Sequence, residues 1–155
     1  MNTTDITEAA NACIATRVHR LSRLVTRVYD EAMRPLGITG HQYILLAQIA
    51  TRDEISCIDM VVEMDIDKST LSRNLKRLIT MGFVTMGPHR GRYPRILGIT
   101  ASGKYLLEKA LSQWQDAQSR TLDAMSAESG SLLDLLLAKA ERIRPVVFTK
   151  RKAVV

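Results

Sequence analysis

The chain has 155 residues, 46% of them hydrophobic, and a formal net charge of +6. That length suits one domain, or one domain with helical extensions, with enough apolar residues for a core. No apolar run approaches the roughly 20 residues that span a bilayer. The segment MNTTDITEAANAC carries Asp5 and Glu8 where a signal peptide would be basic and then apolar, so we expect a cytoplasmic protein. Cys13 and Cys57 are too few for a disulfide framework and too far apart for a CxxC site.

Residues 6–34 repeat apolar positions at helical spacing, through Ile14, Val18, Leu21, Val25 and Val28, which predicts one long amphipathic helix ended by Pro35 and Gly37. Thr39 is placed to cap a second helix to about Ala50. A short helix over Cys57–Met64 follows. The turn Asp65-Ile66-Asp67 then leads into a helix from Lys68 to Met81, which Gly82 terminates. After Gly82 the period changes. Phe83–Met86 and Arg95–Ile99 read as two short strands, with GPHRGRYP between them as a hairpin tip. Thr100 is placed to cap a long helix carrying Leu106, Leu107, Ala110, Leu111 and Trp114. A last helix, near Ser131–Ile143, has leucines on more than one stripe. A helix needs one apolar face to pack on its own domain, so the surplus predicts burial from two sides. A helical dimer interface formed by the termini meets that need, and a helical cap within one chain is the alternative.

Charge is distributed unevenly. Residues 1–67 hold six Lys/Arg and ten Asp/Glu, residues 68–107 eight and none, and residues 108–155 eight and six. A basic block without acids is the footprint of a polyanion partner, though a solvated basic face gives the same composition. Short helix, turn, helix and two-stranded hairpin is the order of a winged helix-turn-helix. Within Lys68–Met81, Leu71, Leu75, Leu78 and Ile79 share one helical face. The opposite face collects Ser69, Ser72, Arg73, Lys76 and Thr80, with Arg77 on its border. Hydroxyls and long cations suit the major groove: Ser and Thr reach phosphates or base edges, and Arg forks onto guanine. His89, Arg90 and Arg92 at the hairpin tip are placed for a neighbouring minor groove.

The segments LGITGHQYILL (36–46), MDIDKSTLSRNLKRLITMGFV (64–84) and LGITASGKYLL (97–107) resemble, in this order and spacing, the MarR family of bacterial transcriptional regulators. The resemblance implies a mainly α fold with a small β-hairpin wing and long N- and C-terminal dimerisation helices. Residues 36–101 would form the DNA-binding lobe. Residues 1–35 and 102–155 would form the dimerisation region of a single intertwined domain. It implies a homodimer that represses by binding a pseudo-palindromic site in double-stranded DNA. Small aromatic or phenolic compounds, or thiol oxidation, would release it. DNA contacts would fall on Ser69, Thr70, Ser72, Arg73, Asn74, Lys76 and Arg77, with Arg90 and Arg92 from the wing. Arg17, Tyr29, His41 and Tyr43 are the candidates for an effector site. The sequence departs from the family pattern at Gly91 and Tyr93, where the wing usually carries an Asp and an Arg. It departs again at Ala15, where the hydroperoxide sensors carry a reactive Cys. Tyr29 matches one sensor tyrosine, while His19 and Gly40 stand at the other two positions.

GITASGKY (98–105) fits G-x-x-x-x-G-K, but Tyr105 stands where a P-loop needs Ser or Thr. No His/Cys spacing suggests a metal, no cofactor is implied, and no nucleophile-base-acid set suggests an enzyme. Cys13, among apolar helical positions, reads as a packed thiol. The redox alternative has Arg17 one turn away as the activating cation. An acidic protein partner on the basic face is the remaining alternative to DNA.

Overall fold

The computed structural model describes residues 3–52, 55–88, 95–126 and 128–143. The described chain falls into two compact units, 1–119 and 120–155. The first holds α1 (Thr3–Ala12), α2 (Ile14–Met33), a 3-10 turn (Arg34–Leu36), α3 (Gly40–Ala50), β1 (Ile55–Ser56), α4 (Cys57–Glu63), α5 (Lys68–Thr80), β2 (Val84–Met86), β3 (Ile96–Ile99) and most of α6 (Ala101–Met125). The second holds the end of α6 and α7 (Ser129–Ala140).

The expected helix over 6–34 is two helices. Cys13 has extended backbone, φ −63° and ψ 120°, and serves as N-cap of α2. The break leaves the Asn11 carbonyl without a helical donor, and Arg17 Nε supplies one at 3.2 Å. The end of α2 is as read: Pro35 opens the 3-10 turn and Gly37 closes it at φ +75°. Thr39 caps α3 in a capping box with Gln42, and Ser56 caps α4 in another with Asp59.

The sheet has three antiparallel strands, in the order β1-β3-β2, where two were expected. The addition is β1, which pairs Ile55 with Leu97 and Ser56 with Ile96. The core gathers Met33, Leu45, Leu46, Ile49, Met60 and Leu78, each no more than 1% exposed. Leu71 and Leu75 extend it along α5.

The junction between α5 and α6 is tightly tied. Thr100 N donates to Phe83 O at 3.1 Å, its hydroxyl donates to Gly82 O at 2.7 Å, and the same oxygen accepts from Gly103 N at 3.0 Å. Gly103 lies against the backbone there: a Cβ on it would stand 2.3 Å from the Phe83 carbonyl oxygen and 2.8 Å from Ile99 Cγ1. The carbonyl cannot yield without moving the backbone at the entry to β2. Gly103→Ala is therefore expected to destabilise the fold by about 3 kcal/mol, the upper part of the overpacking range. That lowers the thermal midpoint by about 6–12 °C in a domain of this size. A circular-dichroism melt checks it, and an unchanged midpoint would mean that this contact is loose in solution.

In the second unit α7 begins two residues before its expected start and ends at Ala140. Leu132, Leu135, Leu136 and Leu137 are 55, 51, 52 and 63% exposed. In the first unit, α2 leaves Ile14 (77%) and Val18 (58%) equally bare. Among the described residues, no helix is long and apolar enough to cross a membrane.

Candidate nucleic-acid interface

The α5 helix has one buried and one exposed face. Leu71, Leu75 and Leu78 are buried, while Lys68, Ser69, Ser72, Arg73, Lys76, Arg77 and Thr80 are exposed. Among the described residues none of these cations makes an ion pair; the ion pair found is Arg52–Glu63, elsewhere. Met81 ends the helix and Gly82, at φ +77°, takes the chain into β2.

Asp67 is the N-cap. Its Oδ1 accepts from Thr70 N at 2.9 Å and from the Ser69 hydroxyl, and its Oδ2 accepts from the Thr70 hydroxyl at 2.6 Å. The Ser69 hydroxyl, then those of Thr70, hold its pKa far below the usual carboxylate range. Thr70 Oγ1 in turn accepts from Arg73 Nη2 at 3.1 Å. That Asp67 gathers two of the candidate contact residues is visible only in three dimensions.

Asn74, grouped by sequence with the DNA contacts, sits differently. It is half-buried, its Nδ2 donates to Thr70 O at 2.9 Å, and its Oδ1 accepts from Gln42 Nε2 at 3.4 Å. Gln42 is itself 3% exposed and caps α3 through Oε1. Asn74 thus ties α5 to α3. Arg90 and Arg92, with His89, Gly91 and Tyr93, lie outside the described residues. Arg95, at the base of the hairpin, is exposed.

A groove of about 710 Å³ runs between α4, α5 and the β2–β3 pair. Leu71, Leu75 and Ile79 line its floor. Ile58 and Val62, 60 and 74% exposed, stand on one side, and Lys68, Lys76 and Arg95 bring three cations to it. Cys57 also lines it, half-buried, and burial pushes its thiol pKa up. Sequence reasoning missed this groove, because apolar positions on a short helix do not say whether their own chain covers them.

None of the four effector candidates lines that groove. The Tyr29 hydroxyl donates to Gln118 Oε1, and the Tyr43 ring stacks on Trp114 at 6.4 Å and 23°, so both tie their helices to α6. His41 is half-buried with Nε2 buried and without a hydrogen-bond partner among the described residues. Arg17 is exposed and, at 1.5 Å per residue, about 18 Å from Tyr29 along α2. Cys13 is exposed rather than packed, because the helix break turns it out at the N-terminus of α2. Hydrogen bonds from Thr16, backbone and side chain, and from the Ala15 backbone lower its pKa. Arg17, the expected cation, is turned to Asn11 instead.

The model of the MarR family matches residues 36–92, from the 3-10 turn to the wing. The multiple antibiotic resistance protein MarR of Escherichia coli (strain K12) is 25% identical over 124 residues, 79% of this chain and 86% of that protein. The Mycobacterium tuberculosis transcriptional regulator MosR superposes with a TM-score of 0.73 at 25% identity, over 86% of this chain and 98% of its own. The chain is similar to MarR-family regulators, by the family model over residues 36–92 and by these two proteins over most of its length. A mutant of E. coli MarR, crystallised with operator DNA, shares the fold at TM-score 0.73 and 22% identity, over 85% of this chain and 96% of its own. The chain shares the winged-helix fold of these transcription regulators. Its wing is β2–β3, and its recognition helix, by position in that fold, is α5.

Proposed function

We propose that this protein binds a pseudo-palindromic site in double-stranded DNA as a homodimer, represses transcription from it, and leaves it when a small aromatic or phenolic anion binds. One observation carries the DNA reading: α5 shows a leucine face to the core and, opposite, hydroxyls and cations that no acid neutralises among the described residues. Such a face suits the major groove, where cations find phosphates and Arg finds guanine O6 and N7. The E. coli relative crystallised with operator DNA supports the same use of the fold. We assign contact to Ser69, Thr70, Ser72, Arg73, Lys76 and Arg77, with Arg90 and Arg92 from the wing. Asn74 we assign to holding α5 in place. A DNA-bound regulator works in the cytoplasm, at the nucleoid.

Arg73→Ala should weaken binding to the selected site by about 1–3 kcal/mol and relax its sequence preference. Arg90→Ala or Arg92→Ala should weaken all sequences evenly. The decisive experiment selects DNA from a random pool with the purified protein, then measures these variants on the winner. A selected site without two-fold symmetry, or equal effects of every variant on every sequence, would leave only non-specific polyanion binding. An acidic protein partner on the same face would give no enriched DNA at all.

Homodimerisation is supported by the bare apolar side chains of α2 and α7. For the effector, the groove beside α5 is the better-supported site: its volume is in the range of small-molecule pockets, with an apolar floor and three nearby cations. An occupant would sit against the surface that DNA needs. Arg95→Ala is expected to raise the phenolic-acid concentration needed for release by about tenfold, the worth of one charge-assisted contact. An unchanged requirement would move the effector elsewhere.

A second reading has one observation in its favour: Cys13 is exposed at a helix N-terminus with a lowered pKa, as a sensing thiol must be. Release of DNA by organic hydroperoxide, abolished by Cys13→Ser, would favour thiol control. Release by a phenolic acid in both proteins would favour the ligand.

A further inference from the structure

The hydroxyls at the start of α5 have their protons fixed by the chain itself. A charged carboxylate accepts and cannot donate. Ser69 Oγ and Thr70 Oγ1 both lie within hydrogen-bond reach of Asp67, 2.6 Å in the second case, so each must point its hydrogen at it. What each then shows outward is lone pairs alone. Thr70 Oγ1 already accepts from Arg73 Nη2 at 3.1 Å. That leaves Thr70 one lone pair on a half-buried residue, and makes Ser69 Oγ, on an exposed residue, the more available acceptor.

A free serine hydroxyl discriminates little, because it gives its proton to one base and accepts from another. A serine whose proton is committed has lost the first option. In the major groove the donors are the N6 amino group of adenine and the N4 amino group of cytosine, and the keto oxygens of guanine and thymine are acceptors. Turning the proton towards a keto oxygen would break a hydrogen bond to a charged group, the strong kind.

We propose that Asp67 is a positioning residue for sequence specificity. By holding Ser69 as an acceptor, it makes one position of each half-site prefer adenine or cytosine over guanine or thymine on the contacted strand. By holding Thr70, it aims Arg73. The inference rests on the DNA-binding reading above.

The test uses full-length wild type, Ser69→Ala, Asp67→Asn and Asp67→Ala. Each is titrated on the selected site and on sites in which every half-site position is changed in turn. Wild type should favour the amino bases about tenfold at one position, a typical value for one base contact, and Ser69→Ala should reduce that ratio to about threefold or less. Asparagine caps a helix as well as aspartate does. Asp67→Asn therefore keeps α5 intact while its amide hydrogens turn one hydroxyl outward. The same ratio should collapse in both Asp67 variants while other positions keep theirs, apart from that read by Arg73. If Asp67 were a cap only, Asp67→Ala would weaken all sites alike and Asp67→Asn would change nothing; that outcome overturns the proposal. A wild type that selects no sequence would overturn the DNA reading itself, and this inference with it.

Discussion

Between 50 and 200 mM salt the affinity of the protein for its selected site should fall by a factor of about 10⁴–10⁵, with log K falling against log salt at a slope of about −7 to −9. The expectation comes from charge that the fold leaves uncompensated. Lys68, Arg73, Lys76 and Arg77 project from α5 without an ion pair among the described residues, so none is neutralised before DNA arrives. Counting Arg95 and the wing arginines as well, each protomer is expected to meet about four or five phosphates, each displacing counterions from the duplex. Anisotropy titrations at several salt concentrations measure the slope. Removing Arg90 or Arg92 should make it shallower by about one per charge lost. A slope near zero would remove the basis for calling this surface a DNA-binding one.

The second large effect concerns α7. Leu135→Glu with Leu136→Glu should give a monomer by analytical ultracentrifugation, halve the salt slope to about −4, and weaken binding to the two-fold site by about 10³ or more. One recognition helix in place of two loses half the phosphate contacts and the specificity that comes from engaging both half-sites, about 10 bp apart. Both leucines are already half exposed in the single chain, at 51 and 52%. Charging them therefore costs the protomer little, and a folded monomer is the expected product. A variant that stays dimeric would place the interface elsewhere, with the exposed Ile14 and Val18 of α2 the next place to look.

The elements from α3 to the start of α6 were largely legible because local signals agreed there. The leucine period of α5, Asp67 before it, Gly82 after it, and Thr39 and Thr100 as caps each name an element boundary without help from the rest of the chain. The break at Cys13 was not legible: Ala-Cys-Ile carries no proline or glycine, and the apolar period runs straight through it. That period misled about Cys13 as well, since an apolar stripe reads as core whether or not its own chain covers it, and α2 leaves Ile14 and Val18 bare. Strand β1 has two residues, too few for any alternation to register. Asn74 was misplaced because helical spacing assigns a face but cannot say that Gln42 waits on its border. The direction of the Ser69 proton, likewise, belongs to three-dimensional contacts with Asp67.

The knot of hydrogen bonds around Thr100 makes a single joint of the end of α5 and the start of α6. The first turn of α6 is fastened to Gly82 and Phe83, immediately after α5, and Gly103 leaves no slack between them. Any tilt of that first turn is therefore passed to the end of α5 instead of being absorbed in a loop. The setting of the basic face of α5 is in this way tied to a residue, Thr100, that lies twenty positions beyond Thr80, where α5 ends.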